Sequence, residues 1–188
     1  MGLIKNKITI EASHIYFGGG YILLEDILTY LSDQRFSCDV YVINKNIYDS
    51  LIKTPRLNIN VIRTNLILTL ARYFKKRESI IYFVNLPPFR KNSKSILYFH
   101  NEIILNNTQK FKLKNLIYRK WLKKFSNNVD NIACQTLNVK IKLENIGVKK
   151  PKLLPFFNTS INHKNLNPQK KNKKFDFCCI SSGEEHKN

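Results

Sequence analysis

Residues 8–31 read ITIEASHIYFGGGYILLEDILTYL, and the order of features in this stretch decides what kind of fold to expect. Ile8–Ile15 is a β-rich run that ends in Tyr16-Phe17 and three glycines, Gly18, Gly19 and Gly20. From Tyr21 the period changes: Ile22, Leu23, Ile27, Leu28 and Leu31 recur at the spacing of one helix face. The chain therefore opens as strand, glycine turn and helix.

Further strands are expected at Cys38–Ile43, Ile59–Ile62, Ser79–Val84, Ser95–His100, Asn131–Gln135 and Lys152–Phe156. SIIYFV (79–84) and SILYFH (95–100) are almost continuously apolar rather than alternating, as strands covered on both faces require, so the sheet should be mostly parallel. Between them Leu86-Pro87-Pro88-Phe89 breaks any regular element. Asn65 can cap a helix reaching Phe74, with Arg72, Lys75, Lys76 and Arg77 near its C-terminal end, where the helix dipole favours cations. Lys112–Phe125 reads as a strong helix, and Asn138–Asn145 as a short one closed by Gly147. The fold class that results is α/β, a Rossmann-like, mostly parallel sheet flanked by helices. Residues 1–157 should form one such domain. NTSINHKNLNPQKKNKK (158–174) has almost no apolar content and reads as a linker, and FDFCCISS begins a fresh strand within residues 175–188.

With 43% hydrophobic and 12% aromatic residues, the chain has enough apolar surface for a packed core. Its 32 Lys+Arg against 13 Asp+Glu leave a net charge of +19, so a partner met by long-range attraction should be anionic: phosphate, lipid head groups or nucleic acid. Heavy use of Lys together with Asn and Ile also matches the bias of an A/T-rich coding sequence. Cys38, Cys134, Cys178 and Cys179 lack metal-type spacing and lie in apolar runs, which suits buried free thiols in a reducing compartment. The N-terminal residues hold no apolar stretch fit for a signal peptide, and nowhere do ~18 uncharged apolar residues run together. The expectation is a cytoplasmic protein that at most rests peripherally on the inner membrane.

Several residues carry candidate chemistry. Flexible backbone at Gly18–Gly20 puts N–H groups at a helix N-terminus, an arrangement suited to an anion such as phosphate, although three glycines also make a plain tight turn. The dinucleotide fingerprint would need glycine where Leu23 stands, and no acidic residue ends the second strand. His100 and Asn101 close one buried strand and Gln135-Thr136 the next, at the sheet end where ligands of open α/β folds bind. His14 ends the first strand. The alternative for each is a hydrogen-bonded structural role. KFKLKNLIYRKWLKK (110–124) is a basic amphipathic segment, and two uses of it stay open. Its apolar residues cover the sheet while the lysines are solvated, or Lys112, Lys114, Arg119, Lys120, Trp121, Lys123 and Lys124 meet an anionic membrane. Nothing in the sequence resembles a zinc site, a Ser-His-Asp set, a P-loop lysine or an RNA-binding signature.

Four segments in order, ASHIYFGGGYILLEDILTYL, NLPPFRKNSKSILYFHNEIIL, NIACQTLNVKIKLENIGVKKPKLLPFF and FDFCCISSGEEHKN, resemble family 4 glycosyltransferases of bacterial cell-surface polysaccharide synthesis, lipopolysaccharide included. The resemblance is to the N-terminal, acceptor-side half of a GT-B fold and the first strand of its nucleotide-sugar domain. It implies retaining sugar transfer from a nucleotide-sugar to a saccharide or lipid-linked acceptor, without metal or other cofactor. Gly18–Gly20 would approach the donor diphosphate, and His100 and Asn101 would face the acceptor or the transferred sugar. The diphosphate-gripping basic residue and paired glutamates that the family carries in its second domain have no counterpart here, since Glu184 and Glu185 sit beside the first strand of that domain. On this reading the chain is truncated before the donor-binding domain and inactive by itself. A non-catalytic basic module binding anionic membrane or nucleic acid is the alternative, and the lack of a groove-reading or base-stacking motif argues against nucleic acid.

Overall fold

The computed structural model describes residues 7–16, 18–76, 78–105 and 112–154. Among the described residues seven strands are present: β1 (Ile8–Glu11), β2 (Cys38–Val42), β3 (Ile59–Arg63), β4 (Glu78–Tyr82), β5 (Ser93–Phe99), β6 (Asn131–Cys134) and β7 (Lys152–Leu153). They form one sheet in the order β3-β2-β1-β4-β5-β6-β7, with every neighbouring pair parallel. Five α-helices among the described residues connect them: α1 (Gly19–Asp33), α2 (Lys45–Lys53), α3 (Leu66–Tyr73), α4 (Lys112–Phe125) and α5 (Leu137–Asn145). The expected α/β, Rossmann-like parallel sheet is therefore what the chain adopts.

The sheet has an apolar core on each side. One core joins Leu23, Leu24, Leu28 and Leu31 of α1 and Ile47 and Leu51 of α2 to Ile10, Val40 and Val42. The other joins Tyr73, Leu122, Val139 and Leu143, from α3, α4 and α5, to Ile80, Tyr82, Leu97, Phe99 and Ile132. Burial on both faces explains the continuous apolar runs of β4 and β5. Cys38 and Cys134 are buried free thiols as expected, and burial pushes the Cys38 thiol up to about 12.

Several boundaries differ from the sequence expectation. β1 stops at Glu11 and β4 at Tyr82, because the chain turns out of the ladder while Ile15, Phe83 and Val84 remain buried as loop residues. Helix α2 was not expected at all. Asn44 caps it, its side chain accepting from the N–H groups of Asn46 and Ile47 at 2.9 and 3.4 Å, and only Ile47 and Leu51 are buried along its nine residues. Two apolar anchors among polar residues give too faint a periodicity to read. β7 is described only as Lys152–Leu153 of the expected Lys152–Phe156. The expected linker at 158–174, the strand within 175–188, and Cys178 and Cys179 lie outside the described residues.

Candidate functional site

From β1 the strand order runs outward through β2 to β3, then returns across β1 to β4 and continues outward to β7. The reversal of direction lies between β1 and β4. In open parallel sheets the connections leaving two such strands diverge, and a crevice opens beyond their carboxyl ends. Here the glycine turn after β1 and the loops that follow β4 and β5 leave the sheet at that end.

Gly18 occupies φ +122°, a conformation open to glycine and strained for other residues, and it brings no side chain to the N-terminus of α1. A methyl group placed on Gly18 or Gly19 would meet nothing within 4 Å, so the space before the helix is open. Gly20 differs. A methyl group there would lie 3.2 Å from His100 Nε2 and 3.3 Å from Ile15 Cδ1. The missing side chain thus lets the imidazole at the end of β5 come against the first turn of α1, across the intervening strand β4.

His100 is held from two other sides. Its ring stacks on Phe83 at a centroid distance of 5.0 Å, and Phe83 in turn stacks on Tyr98 at 5.3 Å. Its main-chain N–H donates to Asn85 Oδ1 at 2.9 Å, and the Asn101 N–H donates to the same oxygen at 3.1 Å. Asn85 is buried at φ +61°, in the left-handed region that asparagine tolerates better than most residues. Burial lowers the His100 pKa to about 4, with the Tyr98 main chain opposing, so the ring is neutral at neutral pH. Neutral imidazole offers one N–H donor and one acceptor. Among the described residues, Ser13 Oγ and His100 Nδ1 are buried side-chain atoms with no hydrogen-bonding partner. Both belong to segments leaving the carboxyl ends of central strands.

The other expected residues are more dispersed. His14 also follows β1, and desolvation lowers its pKa, Lys114 acting in the same direction and Glu11 against it. Thr136 is committed locally: its hydroxyl caps α5 by accepting from the Val139 N–H at 3.2 Å. Gln135 precedes it, half-buried, one strand beyond His100. Leu23, which breaks the dinucleotide fingerprint, is buried in the core beneath α1. Glu102 ties the turn after β5 to α5 through Asn138, at 2.7 Å, and Lys142.

Along α4 the seven expected membrane-facing residues separate. Lys114, Lys120, Lys123 and Lys124 are exposed and Arg119 is half-buried; nothing is described of the Lys112 side chain. Trp121 is held by the protein itself. Its indole N–H donates to the Pro87 carbonyl at 2.9 Å, and its ring packs on Phe89 and Phe125 at 4.5 and 5.7 Å. Sequence reasoning missed Asn85, Phe83 and Ser13. An asparagine just before Leu86-Pro87-Pro88 was the available sign that the chain turns there through a left-handed residue.

Two crystal structures of Anabaena HepE, one in complex with UDP and glucose and the other with UDP-glucose, share this fold. Each matches with a TM-score of 0.52 at 14% identity over 79% of this chain. The match covers 44% and 43% of the HepE chains, so this chain corresponds to less than half of that protein. No protein-family model and no curated protein matches the sequence. Likeness at this identity establishes the Rossmann-like fold.

Proposed function

We propose that this chain is the N-terminal, acceptor-side part of a GT-B glycosyltransferase that uses a nucleotide-sugar donor. The observation that carries the reading is the meeting of Gly20 and His100 at the point where the strand order reverses. The unblocked N-terminus of α1 favours an anion, and the donor diphosphate is the anion proposed for Gly18–Gly20. His100, neutral and carrying an unpartnered Nδ1, then hydrogen-bonds a hydroxyl of the acceptor or the transferred sugar. Asn101 and Gln135 extend the same wall, with Thr136 behind it as a cap. HepE, which shares the fold, was crystallised with UDP and glucose and with UDP-glucose.

Retaining transfer without metal, family 4 membership and a role in cell-surface polysaccharide synthesis belong to this proposal and rest on the sequence resemblance. So does the division into a domain at 1–157, a linker at 158–174 and the start of a nucleotide-sugar domain at 175–188. In this arrangement the donor is gripped mainly by a second domain, and the present residues supply the opposing wall on the cytoplasmic side of the membrane.

Titration with UDP-glucose, followed by the amide resonances of Gly18–Gly20 and the ring resonances of His100, tests the reading. Both sets should shift, weakly and saturably, and Gly19→Val should abolish the shifts while the unfolding midpoint stays put. If millimolar UDP-glucose leaves these signals in place, the glycine turn is not a donor contact.

A further inference from the structure

Helix α3 is built inside out. The side chains it buries are Thr69, Arg72 and Tyr73, while Leu66, Ile67 and Leu70 are exposed, Ile67 by 78%. Helix α4 does something similar: Asn115 is buried, and Leu113, Leu116 and Ile117 face solvent, Leu113 by 72%. A lone exposed leucine carries no information, whereas buried polar groups beneath an exposed apolar cluster do.

The two helices cover the same side of the sheet, Tyr73 of α3 and Leu122 of α4 entering one core. An aromatic bridge joins them: Phe74, just after α3, stacks on Phe89 at 4.3 Å, and Phe89 packs on Trp121 at 4.5 Å. Because each helix turns its inward residues to this core, the two exposed apolar ridges point away from the sheet on the same side of the molecule.

Along these two helices the charge has a single sign. Neither helix contains an Asp or Glu, nor do the flanking stretches 64–77 and 106–129. Lys75 and Lys76 follow α3, and Lys114, Lys120, Lys123 and Lys124 are exposed on α4. Two copies of such a face would repel each other, which disfavours self-association through it. Apolar side chains bordered by the lysines of these helices match a surface of anionic head groups over hydrocarbon.

We infer that α3 and α4 together form a docking face for an anionic lipid bilayer, with Leu66, Ile67, Leu70, Leu113, Leu116 and Ile117 entering the interface and the lysines meeting lipid phosphates. The face lies on the membrane rather than crossing it, since among the described residues no helix is long and apolar enough to span. Trp121 takes no part, because Pro87 and Phe89 hold it. The docking does not depend on the transferase reading. It adds to that reading a crevice kept close to the lipid surface, since α3 and α4 begin at the carboxyl end of the sheet.

Co-sedimentation of the full chain with vesicles, in the absence of sugar nucleotide, tests this. Vesicles of phosphatidylcholine mixed with phosphatidylglycerol should retain the protein at low salt and release it at high salt, and pure phosphatidylcholine should retain little. Ile67→Ser/Leu70→Ser and Leu116→Ser/Ile117→Ser should each weaken binding by at least about tenfold, the loss expected when two side chains no longer enter hydrocarbon. Lys120→Glu/Lys124→Glu, which leaves every apolar side chain in place, should weaken it too, and the unfolding midpoints should not fall. Anionic vesicles that fail to bind, or binding indifferent to the α3 pair, would overturn the two-helix face. So would a dimer in light scattering that these substitutions dissolve.

Discussion

Gly19 and Gly20 are consecutive in one helical turn yet have different surroundings, and substitution should separate them. Gly19→Val enters open space and should change stability by less than about 1 kcal/mol. Gly20→Val pushes against His100 and Ile15 and should cost about 1–3 kcal/mol, as overpacking usually does. Comparative urea unfolding checks both; equal costs would mean that the imidazole is not seated against the turn. Asn85→Ala removes the acceptor shared by two partly buried N–H groups and leaves alanine at a left-handed φ, for a loss of roughly 2–4 kcal/mol. Asn85→Gly relieves only the backbone strain, so it should recover part of that loss, and a glycine variant no better than alanine would assign the whole effect to the hydrogen bonds. His100 sets a pH dependence. Its folded pKa of about 4 lies below the ordinary 6.5, so between these values the unfolded chain binds a proton that the folded chain resists. The His100 contribution to stability should therefore fall as pH drops from 6.5 to 4, by on the order of 3 kcal/mol, and level off below. His14 contributes in the same direction. The difference in slope between the wild type and His100→Phe isolates the His100 part, and identical slopes would dismiss it. The glycines and His100 were legible in sequence because they stand where local patterns end. Asn85 was not, since its role depends on amides 15 and 16 residues further along the chain.

At the scale of elements, the unexpected feature is the joint between β1 and α3. Arg72 donates to both oxygens of fully buried Glu11, at 2.6 and 3.2 Å, and also to Thr64 and Thr69. Its guanidinium lies 4.2 Å from the centroid of the Tyr41 ring. This network is why a polar face of α3 turns inward and its leucines outward. Arg72→Met should destabilise by about 3–5 kcal/mol, because it strands a buried carboxylate, whereas Glu11→Leu/Arg72→Met should restore most of the loss. Thermal and urea unfolding of the single and double variants form the check; additive losses would show that the pair is not coupled. Sequence reading placed Arg72 with the basic residues that complement the dipole of its helix, since periodicity contains no information about a carboxylate 61 residues earlier. For α4, periodicity located the helix and left two roles for its apolar residues. Packing then divided them, taking Trp121 and Leu122 inward and leaving Leu113, Leu116 and Ile117 outside.

At the scale of the molecule, the sheet determines what can meet. Its interior strand β1 pairs with β2 through Ile10 and Val40, and with the much later β4 through Ile10 and Ile81. That topology brings residues 20 and 100 into contact. The proposed division of the chain predicts that brief trypsin treatment cuts first within the lysine-rich stretch 158–174, after Lys164 or a later lysine, and leaves a fragment that holds residues 1–157. That fragment should unfold at the midpoint of the intact chain. Cleavage scattered through residues 7–154, or a fragment that unfolds at lower denaturant, would count against a self-sufficient domain.

The sequence by itself determined the α/β class, the parallel sheet, the glycine turn and the placing of His100 at a strand end. These follow from residue periodicity and local backbone chemistry, which act over a few positions. Only the tertiary structure decided that Gly20 gives room to His100, that Asn85 holds the strand end, and that Glu11 draws Arg72 inward. Each of these depends on groups far apart in the chain, and their positions follow from the order in which the strands pair.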